Sequence, residues 1–145
     1  MSREATVTIS LRIKKDNLNY SHSQQFRADI NGSTASSGGP TPGSLLVPVD
    51  GVTVDLSELV SPGLIEMQNL DPDNYVEWGL MVSGVFRPLG ELRGGTPAEG
   101  AIFRLSRNLG EEEAVPGTGT STPTNVLYLR ANTAPCQVIV NIFED

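Results

Sequence analysis

CQVIVNIF, residues 136–143, places Cys136, Val138, Val140 and Ile142 at every second position. That spacing puts four apolar side chains on one face of an extended strand, whereas a helix would need them three and four apart. Just upstream, VLYL at residues 126–129 is apolar on both faces, which predicts a strand inside a sheet rather than at its edge. Working outward, apolar runs of strand length recur at 45–49, 52–56, 64–70, 75–82, 85–89 and 101–105, each bounded by turn residues. Eight to ten short strands at this spacing predict an all-β chain, a single-domain antiparallel β-sandwich or jelly roll spanning residues 1–145. A helix has one opening, at Asp55-Leu56-Ser57-Glu58-Leu59, and Pro62-Gly63 limits it to about one turn.

The N-terminal segment follows the same rule. Ala5, Val7, Ile9, Leu11 and Ile13 alternate with Thr6, Thr8, Ser10, Arg12 and Lys14, the pattern of a half-buried strand. Asp16-Asn17 reads as a turn, and Phe26, Ala28 and Ile30 restart the alternation up to the turn dipeptide Asn31-Gly32. Two antiparallel strands are expected here. The next segment, NGSTASSGGPTPGS at residues 31–44, has no large apolar side chain with which to offset its ordering entropy, so it is expected to be a mobile loop. A second such loop is expected at 110–125, where the acidic run Glu111–Glu113 leads into GTGTSTPTN.

Composition narrows the function. The chain has 145 residues and a net charge of −7, which disfavours a nucleic-acid partner because phosphate binding rests on Lys and Arg. The one basic cluster is Arg12, Lys14 and Lys15. A single cysteine, Cys136, excludes an intramolecular disulfide, so the fold does not require an oxidising compartment. No stretch approaches the roughly 18 apolar residues of a spanning helix, and a soluble product of the cytoplasm is expected.

No catalytic or cofactor site is expected. His22 is the only histidine, which removes His-clustered metal sites and leaves a Ser or Cys nucleophile without a second base to choose from. Cys136 lies on an apolar strand face, where a thiol behaves as a small hydrophobe. Among the carboxylates Asp50, Asp55, Glu66, Glu77, Glu91 and Glu99, no spacing distinguishes a general acid from a base. Asp71-Pro72-Asp73-Asn74 offers oxygens for calcium through Asp71, Asp73 and Asn74, but Asx-turn chemistry accounts for the same residues. The Gly-rich segments near Arg93 and Gly117 do not open a helix that could present amides to a phosphate. Trp78, Tyr75, Tyr20 and Tyr128 could stack on a sugar if several faced outward, although Trp78 shares its strand face with Val76 and Leu80 and so reads as core.

Four segments carry a family resemblance: NLDPDNYVEWG at 69–79, FRPLGEL at 86–92, AIFRLSR at 101–107 and LYLRANTA at 127–134. Together they resemble small β-rich structural proteins of tailed bacteriophages. The resemblance implies a non-enzymatic virion component, made in the host cytoplasm and present in many copies. Its expected role is capsid decoration or cement protein, or alternatively a head–tail connector or tail component; a carbohydrate-binding sandwich is a further alternative. Expected partners are copies of itself and other virion proteins, with no nucleic acid, no membrane and no cofactor. Candidate contact residues are Arg12 and Lys14 on the first strand, Asn31, Gly38, Pro40 and Pro42 in the first loop, and Gly117 and Thr120 in the second. Such polar segments bind through backbone hydrogen bonds, by adding a strand to a neighbour's sheet edge.

Overall fold

The apolar rows require a second layer to bury against, and two four-stranded sheets supply it. The structure, a computed structural model, describes residues 5–28, 41–56, 59, 62–106, 112–114, 121–123 and 125–144. Among them are twelve strands and no helix: β1 (Ala5–Lys15), β2 (Leu18–Ala28), β3 (Thr41–Val47), β4 (Val52–Thr53), β5 (Pro62–Asn69), β6 (Val76–Val82), β7 (Val85–Leu92), β8 (Gly100–Arg104), β9 (Glu112–Ala114), β10 (Ser121–Pro123), β11 (Asn125–Ala131) and β12 (Cys136–Glu144). One sheet runs β3-β12-β5-β8 and the other β4-β11-β6-β7, with every pairing antiparallel. The all-β sandwich expected from the period-two segments is what forms.

Alternation decides which side chains enter the core. From β12, Cys136, Val138, Val140 and Ile142 are buried, and their register partners Val47 on β3 and Ile65 and Met67 on β5 lie on the same inward face. The other sheet contributes Val76, Leu92, Leu127, Leu129 and Ala131, and all of these residues belong to one cluster. Trp78 of β6 stacks on Phe103 of β8 across the two sheets, with ring centroids 4.8 Å apart and an interplanar angle of 24°. Trp78 is therefore a core-facing residue. β11 is interior to its sheet, between β4 and β6, as its two-sided apolar run predicts.

Two local devices shape the second sheet. Ser83 and Gly84, with φ of 50° and 78°, close the two-residue β6–β7 hairpin in the left-handed region that such turns demand. At Gly79 the register slips, and a Cβ there would meet the Arg87 carbonyl oxygen at 2.0 Å, so β6 and β7 approach this closely only because the residue is glycine. At the sole helical opening the Leu59 amide donates to the Leu56 carbonyl at 3.0 Å.

Three expectations need correction. Thr41–Ser44 is not loop: it begins β3, which pairs with β12 as an edge strand, a position that tolerates Pro42 because one side of its backbone carries no ladder bonds. Within 110–125, Glu112–Ala114 and Ser121–Pro123 pair with each other, since a short ladder is held by backbone groups and requires no apolar side chains. Asn125 begins β11, and the rest of both predicted loops lies outside the described residues. The third correction concerns β1. It pairs with β2 across the Asp16-Asn17 turn, but β2 starts at Leu18 rather than near Phe26, and the pair joins neither large sheet. Val7 is buried, whereas Ile9, Leu11 and Ile13 are exposed, because no second layer lies over them.

Leu129→Ala, at a fully buried position between two strands, is expected to lower unfolding free energy by about 2–5 kcal/mol, and urea denaturation checks it.

Candidate functional site

Two places could carry function: the loops at one end of the sandwich, and the β1–β2 hairpin. The loop end is organised by Asn69, the one buried polar residue among the described core positions. Its Nδ2 donates to the carbonyls of Asn74 at 2.8 Å and Leu92 at 3.0 Å, and its Oδ1 accepts the Asp71 amide at 3.0 Å. The 71–74 turn and the end of β7 are thereby tied to the end of β5. The Asn69 amide reaches the Glu99 carbonyl at 3.1 Å, adding the segment that precedes β8.

Asp71 builds the adjoining turn. Its Oδ1 accepts the amides of Asp73 at 2.9 Å and Asn74 at 2.6 Å, and the side-chain Nδ2 of Asn74 at 3.1 Å. These bonds, the Asn74 amide foremost, hold the Asp71 carboxyl below its ordinary value of 3.8. The calcium candidates Asp71, Asp73 and Asn74 therefore sit in an Asx turn in which Asp71 Oδ1 is turned onto the backbone. Asn74 Oδ1 accepts the Thr133 hydroxyl at 2.5 Å. Among the described residues no group of three His, Cys, Asp or Glu is placed to hold a metal.

Beside the turn lies a depression of about 440 Å³ lined by Asp73, Tyr75, Glu91, Arg93 and Gly94. Its cation is already engaged, since Arg93 Nε donates to Glu91 at 2.7 Å. Among the described residues no imidazole, hydroxyl nucleophile or thiol other than the phenol of Tyr75 lines it. Gly94 fits against the turn so closely that a Cβ would meet the carbonyl oxygens of Asn74 and Asp71 at 2.7 Å. The depression is thus a seam between two tightly fitted loops.

The other candidate chemistry is dispersed. Cys136 is fully buried, its thiol pushed upward by burial first and the Asp71 charge second, while His22 stands exposed on β2. Glu77 accepts two bonds from Arg130, at 3.1 and 2.6 Å, Glu66 accepts Asn141 at 3.0 Å, and Glu99 accepts the Arg93 amide at 2.9 Å. The aromatic residues do not form one platform: Trp78 faces the core, Tyr20 is on the hairpin, and Tyr75 is at the loop end. Tyr128 lies on the outer face of its sheet, its hydroxyl donating to the Asp50 carbonyl at 2.7 Å.

The hairpin presents a surface. Its register sets Ile9 opposite Gln24, Leu11 opposite His22, and Ile13 opposite Tyr20, with Val7 and Phe26 nearer the base and Leu18 at the turn. Directly opposed residues share a face, so this face carries the apolar row Val7, Ile9, Leu11 and Ile13 with Phe26, Tyr20 and Leu18, interrupted by Gln24, His22 and Lys15. The other face carries Thr8 with Gln25, Ser10 with Ser23, Arg12 with Ser21, and Lys14 with Asn19. Every residue from Thr8 to Gln25 is exposed, and none of the hairpin belongs to the core cluster. Arg12 and Lys14 thus lie together on the polar face of a two-faced arm. Pro42 falls in β3, and Asn31, Gly38, Pro40, Gly117 and Thr120 lie outside the described residues. The apolar face of the arm is the feature that reading β1 as half-buried missed; the signal available was the polar composition of SHSQQ at residues 21–25, too hydrophilic for a core strand.

Comparisons with protein-family models, with curated proteins and with solved structures returned no match.

Asn69→Ala is expected to remove the side-chain bonds to the part-buried Asn74 and buried Leu92 carbonyls and from the Asp71 amide, and to cost about 1–3 kcal/mol of stability, read by urea unfolding. For Asp71, whose folded value is depressed, the stabilisation is present above 3.8 and is lost as pH falls through the lower folded value. The gap in melting temperature between the natural chain and Asp71→Ala is therefore expected to narrow as pH drops from about 5 to about 2.

Proposed function

We propose that this chain is a non-enzymatic structural subunit of a tailed-bacteriophage particle, assembled in several copies with other virion proteins, in the first place as capsid decoration or cement. The observation that carries this reading is the arm: a two-faced hairpin exposed from Thr8 to Gln25, with Leu11 51% and Leu18 55% accessible. A lone two-stranded hairpin is at best marginal in water, and soluble monomers rarely leave a contiguous apolar face uncovered. Such an element is suited to contact with another protein.

Two further features support the class. Counting only the eight strands of the two sheets in chain order, one sheet runs first, eighth, third, sixth and the other second, seventh, fourth, fifth. We read that order as supporting the double Greek key of a jelly roll, an architecture that recurs in viral capsid and lectin domains. Because one fold hosts many roles, it supports the class and no single position in a particle. The segments that resemble phage proteins fall on the scaffold itself, from the Asn69 turn through β6, β7 and β8 and into β11.

Immunogold labelling of particles purified from lysates of the encoding strain tests the proposal. Regular label over capsids is expected; label at necks or tails moves the protein to the connector or tail role, and particles free of label overturn the reading.

A further inference from the structure

We infer that the apolar face of the β1–β2 arm docks on the body of a second copy of this chain, in a head-to-tail contact. The inference rests on the reading of the arm as a contact element and names its partner.

Charge selects that partner. Arg12, Lys14, Lys15 and Arg27 against the single acid Asp16 give residues 5–28 a net +3; with −7 for the whole chain, the remaining residues carry −10. Two arms packed face to face would bring two +3 hairpins together, whereas an arm approaching a neighbouring body of net −10 is attracted at long range, with Arg12 and Lys14 standing on the polar face turned away from the contact. The separation of charge within one chain therefore favours a heterologous contact over a symmetric arm pair.

The body offers a matching face. On the outer side of the β4-β11-β6-β7 sheet, register sets Val126 opposite Met81 and Met81 opposite Phe86. The Phe86 ring lies 5.2 Å from that of Tyr128, and Arg130 caps Phe86 at 5.0 Å. All four apolar side chains are half-buried, and they point away from the shared core, whose inward members from β11 are Leu127, Leu129 and Ala131. A sheet face of this kind accepts another sheet at about 10 Å, the ordinary spacing of stacked sheets.

Size sets the expected strength. Eleven residues per strand make an arm roughly 35 Å long and about 10 Å wide. One face then buries on the order of 350 Å² per partner, below the standard interface, so a single contact is weak. Each copy both gives and receives an arm, and a head-to-tail contact that closes into a ring gains from every added copy.

The test uses full-length chains in sedimentation velocity at up to about 1 mM, with unfolding midpoints confirming that each variant is folded. The natural chain is expected to self-associate, less so at high salt. An arm variant, Ile9→Lys with Leu11→Lys, and a body variant, Met81→Lys, are each expected to associate about tenfold or more weakly alone. Mixed one to one, they are expected to form a heterodimer, since one retains the arm and the other the receiving face. Should Met81→Lys lower the unfolding midpoint, Phe86→Ser takes its place. A natural chain that stays monomeric, a body variant that associates normally, or a mixture that forms no heterodimer overturns the inference. A monomeric chain that nonetheless labels particles leaves the virion role standing; an oligomer absent from particles leaves the head-to-tail contact standing without it.

Discussion

Burial of two alternating apolar rows against each other is the constraint on which this protein rests. On β12 the row is Cys136, Val138, Val140 and Ile142; on β11 it is Leu127, Leu129 and Ala131. Each row sits on a strand interior to its sheet, so neighbours on both sides inherit the inward face through register, and a one-residue slip would expose the whole set. Edge strands are freer. β3 accommodates Pro42 and Gly43 because its outer backbone pairs with nothing in the described fold, and β7 absorbs a register shift beside Gly79.

The arm follows the same alternation and meets the opposite fate. Ile9, Leu11 and Ile13 have the periodicity of core residues, yet their strand is paired only with β2, and β2 contributes Gln24 and His22 to the same face. A period of two specifies that one face of a strand is apolar; it does not specify that something lies over that face. The contrast between the anionic body and the cationic arm is likewise invisible in the net charge, because −7 is the sum of two parts of opposite sign.

At the loop end, polar groups do structural work that apolar burial cannot. Asn69 is placed where a strand ends and three backbone groups would otherwise be left without partners; its amide side chain donates twice and accepts once. Asp71 then turns its carboxylate onto the backbone of its own turn. The acid-rich tetrapeptide forms the Asx turn that its residues also predicted.

From the residues alone, the all-β class, the positions of the main strands, the interior placement of β11, the core-facing Trp78 and the turn at Asp16-Asn17 were all legible, because each depends on local spacing and turn chemistry. The loop assignments at 41–44 and 112–114 were not, since a polar or proline-bearing segment becomes a strand only when a partner's backbone lies alongside it. Asn69 could not be singled out for the same reason: its bonds reach Asn74 and Leu92, and the latter is 23 residues away. Alternation along the chain determines which side chains share a face. Only the tertiary arrangement decides whether that face meets a second sheet, as for β12, or water, as for the arm, because burial is a property of what packs above a strand.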